Sequence, residues 1–225
     1  MQAEAPTRSQ QSPTAPDWAD RAEQRLLEAA IPLTARLGWN AGLIAGASPA
    51  AGLSAGEADL LLPNGPRDLA ALFSRRLDAR AMAALATRDP ATLKIRERIR
   101  SGLEAWLDAA DADPGAAKRW AAFLALPPNA GLGLRLAWES ADRLWRWAGD
   151  TATDENHYTK RAILGAILVS ALGLRLSAGR DVAAAYVDRR IENVMQFERW
   201  KAGVKVGGLA ERLAQGLGRL RYGRG

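Results

Sequence analysis

Apolar residues recur at three- and four-residue intervals along most of this chain, and runs of alternating strand character are missing. Leu26, Ala30, Leu33 and Leu37 predict a helix over Asp17–Leu37, with Asp17 as N-cap and Gly38 as C-cap. A short segment, Asn40 to Ala51, leads to Gly52-Leu53-Ser54, where glycine permits a tight turn and Ser54 can cap the next helix. That helix stops before Pro63-Asn64-Gly65-Pro66. Asp68 precedes Leu69, Leu72 and Phe73, which open a helix running to Thr87. Asp89-Pro90 breaks it, and Ala91 to Asp108 forms another. There Ile95, Ile99, Leu103 and Trp106 make an apolar face, and Lys94, Arg96, Arg98 and Arg100 read as its solvated side.

Trp120, Phe123 and Leu124 belong to the following helix, which Pro127-Pro128 ends. From Gly131 to Ala148, Leu134, Ala137, Trp138, Ala141, Leu144, Trp145 and Ala148 fall on one face, opposite Arg135, Asp142 and Arg146. The next helix is apolar nearly all round from Ala162 to Leu174, so it is expected at the centre of a core or along an apolar cavity. The facing residues Trp138, Ala141, Leu144, Trp145, Ile163, Ala166, Ile167 and Ser170 are therefore the candidate walls of a hydrophobic ligand site. That apolar stretch is shorter than the roughly 20 residues a spanning helix needs.

Composition narrows the chemistry. Cysteine is absent and His157 is the only histidine, which removes thiolate chemistry and any His-rich metal site. No catalytic residue and no cofactor is assigned. The net charge is +6 and the isoelectric point is near 10.1. Such a balance suits nucleic acid, an anionic membrane or an acidic partner, and its placement along the chain discriminates among them.

The order LLEAAIPLTARLGW, a small-residue second helix, AAGLS and the LLLP turn resembles the N-terminal helix-turn-helix of the TetR superfamily. A DNA reader needs donors at the start of its recognition helix. Here that helix is Ser54–Leu62, which carries Glu57 and Asp59 and no Lys, Arg, Asn, Gln or Tyr. Phosphates would be repelled. The head is therefore expected to survive as a packing module without a nucleic-acid partner, and a ligand-responsive transcriptional regulator is the alternative.

The segment from Trp145 to Leu164 contains AGD-x-x-x-D-x-N-x-Y-T-K-R-A. It resembles the signature of the lipid-binding accessory proteins of ubiquinone (coenzyme Q) biosynthesis. DRRI-x-x-VM, from Asp188 to Met195, and the upstream PNGPRDL turn match that family too, and the resemblance spans about residues 17–204. It implies an all-α, TetR-like bundle and no catalysis. It also implies an isoprenoid lipid or quinone intermediate bound in the body, and presentation of that precursor to the demethoxyubiquinone hydroxylase. Asp150, Asp154, Asn156, His157, Tyr158, Lys160 and Arg161 are the implied partner-binding residues, Asp154 being also a helix N-cap. Position 157 is His where mitochondrial members usually carry an aromatic residue, which adds a titratable ring. A homodimer through the last helices follows by analogy with TetR-like folds.

Past Val204, Leu209, Leu213, Leu217 and Leu220 form a stripe flanked by Arg212, Arg219 and Arg221. Arginines beside a leucine stripe can reach lipid headgroups, so this is the expected membrane-binding tail. The expected organisation is a disordered leader (1–16), a helix-turn-helix-like head (17–76), a lipid-binding body (77–203) and a basic amphipathic tail (204–225). With no signal or presequence pattern in the leader, the expected place is the cytoplasm, peripherally on the inner face of the membrane.

Overall fold

The structure is a computed structural model, and it describes residues 18–150 and 155–206. The leader, Asp17, Thr151–Asp154 and the tail residues Leu209, Arg212, Leu213, Leu217, Arg219, Leu220 and Arg221 lie outside the described residues, as does the Asn156 side chain.

Every regular element among the described residues is helical. In chain order they are α1 (Trp18–Ala30), α2 (Thr34–Leu37), α3 (Ala41–Ala47), α4 (Ala55–Leu61), α5 (Pro66–Leu85), α6 (Ile95–Asp111), α7 (Pro114–Ala125), α8 (Ala130–Trp147), α9 (Glu155–Ala178) and α10 (Arg180–Val206). Short 3₁₀ turns occupy Ile31–Leu33, Pro90–Thr92 and Pro127–Asn129. The helix expected from Asp17 to Leu37 is thus interrupted at Pro32, which has no N–H to continue an α ladder. Pro90 likewise delays α6 to Ile95.

Packing groups the residues into two units. One holds the chain through Ala84 together with Asp108–Ser140; the other holds Leu85–Leu107 and the chain from Ala141. The head expected at 17–76 falls within the first unit.

In that first unit α1 packs on α3 and α4, and α2 on α7. Its core is built round an aromatic file: the rings of Trp39 and Trp120 each lie 5.5 Å from Phe73. Both indoles also find an acceptor, Trp39 Nε1 donating to Pro66 O at 3.1 Å and Trp120 Nε1 to Ala70 O at 2.9 Å. In the α3–turn–α4 segment the Gly52 turn and the Ser54 cap are as the sequence suggests, and Asn40 adds a cap that it did not assign. Asn40 accepts from the Leu43 amide, Gly52 turns the chain at φ 70°, and Ser54 forms a reciprocal capping box with Glu57. The backbone amide and hydroxyl of Ser54 hold the Glu57 carboxyl below its ordinary value.

In the second unit the core comprises Ile99, Leu103, Trp106 and Leu107 of α6, Ala141 and Leu144 of α8, Leu164, Ile167, Leu168 and Ala171 of α9, and Ala183 and Val187 of α10. The absent side chain of Gly102 lets Leu144 approach α6 closely: a Cβ there would sit 3.2 Å from Leu144 Cδ2. The α9 and α10 helices pack along one another.

Three expected faces are corrected. Leu134, expected on the buried face of α8, is 72% exposed, because the buried stripe is centred on Leu136, Ser140 and Leu144 instead. Ile95 is exposed, since it sits at the first residue of α6. The α9 helix is not fully enclosed: Ala162, Ile163, Ala166, Val169 and Ser170 are exposed along one side. By length and composition His157–Ala178 could cross a membrane, more than the shorter apolar core of the helix suggested. Arg161 and Arg175 are nevertheless buried within it.

Candidate functional site: the α8–α9 junction

The end of α8 is fixed by its own backbone. Gly149 takes φ 86°, open to glycine without strain. The Gly149 amide then bonds to Arg146 O and the Asp150 amide to Trp145 O, the paired closure of a Schellman motif. One further carbonyl, Ala148 O, accepts from Arg98 Nη1 at 2.8 Å, while Arg98 Nε bonds to Leu93 O at 2.9 Å. Arg98 is therefore turned inward, and the expectation of a solvated side chain is corrected. It ties the approach to α6 to the end of α8, satisfying a carbonyl that the helix leaves open.

This termination aims Asp150 at α9. Its Oδ1 lies 2.6 Å from Lys160 Nζ and its Oδ2 lies 3.1 Å from Arg161 Nη1, with the carboxylate nearly enclosed. Burial raises the free energy of the charged carboxyl, but the hydrogen bonds and positive charges of Lys160 and Arg161 outweigh it. The Asp150 carboxyl is held below its ordinary value. Arg161 is only 2% exposed. Its Nε meets Asp142 Oδ1 at 2.6 Å and its Nη1 also donates to His157 O at 3.1 Å. Asp142 in turn receives Arg146 Nε at 2.8 Å. One buried guanidinium thus joins the last turns of α8, the connecting chain and the first turns of α9.

Lys160 adds a second link. Its ammonium stands 5.3 Å from the centre of the Trp145 ring, and Trp145 Nε1 donates to Lys160 O at 3.1 Å. Outside this clamp lie the aromatics. The His157 and Tyr158 rings meet edge to face at 5.2 Å, His157 half-buried and Tyr158 65% exposed. The arrangement holds charge in place and displays an aromatic edge. The charged groups spend their bonding capacity on one another, which suits rigid presentation more than proton transfer.

Of the residues singled out from sequence, Asp150, His157, Tyr158, Lys160 and Arg161 are brought together here. Among the candidate ligand walls, Trp138 and Trp145 are half-buried at the edge of the α8 stripe. Ala141, Leu144 and Ile167 are packed inside, and Ile163, Ala166 and Ser170 lie on the exposed side of α9. Asp142 and Arg98 were missed. Asp142 stands one turn before Arg146 on what reads as a plain polar face, and Arg98 is one of four alternating cations. Only the facing helix distinguishes them from solvated neighbours.

The helices that build this junction are also the part of the chain matched by a protein-family model. Residues 130–198, covering α8, α9 and most of α10, match the model described as COQ9. The likeness is to the COQ9 family. Beyond that stretch, the chain is 27% identical to the rat ubiquinone biosynthesis protein COQ9, mitochondrial, over 88% of this chain and 66% of the relative. The human COQ9 protein is 26% identical over 88% of this chain and 64% of the relative. The Xenopus tropicalis COQ9 protein is 26% identical over 66% of this chain and 49% of the relative. The chain spans two thirds or less of the length of these COQ9 relatives.

Proposed function

We propose that this chain is a non-catalytic accessory protein of ubiquinone biosynthesis. In this reading it binds an isoprenoid or quinone intermediate at a membrane and presents it to the demethoxyubiquinone hydroxylase. The observation that carries the reading is the α8–α9 junction: a rigid charge clamp with an exposed aromatic edge, inside the stretch that matches the COQ9 model. Tyr158 and His157 are the contact for the hydroxylase, because exposed aromatics on a fixed support make strong interface anchors. Asp150, Lys160 and Arg161 act by holding that edge in position. The lipid lies against Ile163, Ala166 and Ser170 of α9 and the edge of Trp145, with Ala141, Leu144 and Ile167 supporting from within. A second copy of the chain closes over the exposed side of α9. The leucine–arginine tail brings the assembly to the membrane.

The COQ9 relatives are named as mitochondrial, whereas the sequence alone suggested the cytoplasmic face. Both are faces of a quinone-containing membrane, and the proposed role is the same at either. A transcriptional regulator is not favoured. The matches are to COQ9 proteins, and α4 carries Glu57 and Asp59 where a DNA reader needs donors.

The test is co-purification with an affinity-tagged demethoxyubiquinone hydroxylase from the same organism, read by quantitative blotting. Tyr158→Ala should lower recovery at least about tenfold, the loss of one anchor residue, with the protein's own melting midpoint unchanged. Equal recovery of Tyr158→Ala and the parent would remove this residue from the contact, and no recovery of the parent would refute the partnership.

A further inference from the structure

The helix-turn-helix-like head contains a cavity of about 300 Å³ that the proposed function does not use. Ala41, Ile44 and Ala45 of α3 form one wall, and Ala58 and Leu62 at α4 form the other, with Leu53 from the intervening turn. The lining is largely apolar. Its charged member is Asp59, which is exposed and forms no hydrogen bond or ion pair with any described residue. No Lys or Arg occurs between Arg36 and Arg67, although the whole chain carries a net charge of +6; Glu57 and Asp59 are the only ionisable side chains in that interval. This interval is thus a local reversal of the molecule's charge, and one of its two carboxylates, Asp59, lines the apolar groove.

We infer that this groove is a docking surface for a cationic amphipathic helix of a partner protein. Its volume sits at the lower end of what ligand sites offer, too small for an extended isoprenoid chain and suited to one or two bulky apolar side chains. A helix presents such side chains at three- and four-residue spacing, and a Lys or Arg one turn away would meet the unpaired Asp59. Nucleic acid and anionic membrane are both repelled by the same two carboxylates. The partner helix supplies what the interval between Arg36 and Arg67 lacks, positive charge beside an apolar ridge.

The experiment uses the isotope-labelled full chain and two synthetic helical peptides of identical leucine pattern, one Leu/Lys and one Leu/Glu. Amide chemical shifts are followed during titration at physiological salt. The Leu/Lys peptide is expected to shift the amides of residues 41–62 in a saturable way, and the Leu/Glu peptide is not. Asp59→Lys should weaken the Leu/Lys peptide about tenfold and admit the Leu/Glu peptide, as expected of charge complementarity at a docking site. Ala45→Phe, an exposed lining position whose enlargement fills the groove without touching the core, should abolish binding of both. Shifts elsewhere on the molecule, equal response to both peptides, or binding that survives Asp59→Lys and Ala45→Phe would overturn the inference. Because the readout is confined to α3 and α4, its failure leaves the α8–α9 reading standing, and failure of that reading leaves this one standing.

Discussion

At the scale of single residues the decisive side chain is Arg161, a guanidinium shut away from water between Asp142 and Asp150. Its hydrogen bonds are made inside the protein, and removing it would leave the nearly enclosed Asp150 to Lys160 alone and Asp142 to Arg146 alone. Arg161→Met is expected to destabilise the fold by about 3–5 kcal/mol, measured from urea unfolding, as for other broken buried pairs. The pH dependence has a definite sign. Asp150 titrates lower in the folded state than its ordinary 3.8. Its stabilising contribution is therefore complete at neutral pH and is lost as the pH falls below that value and through the folded pKa. The gap in stability between Asp150→Asn and the parent should be full at pH 7 and narrow on acidification; a constant gap would contradict the clamp. The same geometry explains part of the sequence signature in physical terms. Gly149 supplies the left-handed turn, Asp150 the anion, Lys160 and Arg161 the cations, and Tyr158 the exposed edge. The signature order was legible in the sequence, whereas its division into support and display was not. Burial of a charge depends on a facing helix, and Asp142 and Arg98 look solvated when read along their own helices.

At the scale of elements, helix positions were largely legible because their ends are chemically marked: Ser54 caps, Gly52 turns and the prolines break, while the caps at Asn40 and Asp89 emerge only in the structure. Faces were less so. The α9 helix is apolar nearly all round, so its periodicity does not say which side meets the core, and packing against α10 settles one side. The exposed side is then free for a ligand or a second copy. Ile163→Asn should leave unfolding stability within about 0.5 kcal/mol of the parent, as surface changes do. It should nevertheless reduce retained lipid. Leu168→Ala, on the packed side, should cost about 2–5 kcal/mol by opening a cavity. If the two variants behaved alike in unfolding, the assignment of faces would fail.

For the whole molecule, the informative quantity is where the charge lies. A net +6 read alone allows nucleic acid, yet the head between Arg36 and Arg67 is purely acidic, and the sequence after Val204 sets arginines beside a leucine stripe. Replacing Leu209, Leu213 and Leu217 together by Ala should lower binding to anionic vesicles at least about tenfold in a sedimentation assay, since each lost leucine side chain removes apolar area that would be buried at the interface. Binding by the parent should fall as salt rises. Whether the chain carries a quinone-pathway lipid is read most directly by mass spectrometry of lipids extracted from the protein, purified from a ubiquinone-producing host. An isoprenoid or quinone intermediate recovered in near-stoichiometric amount, and depleted in Ile163→Asn, is the predicted result. Protein that emerges free of isoprenoids, and takes up none when incubated with demethoxyubiquinone, would contradict it.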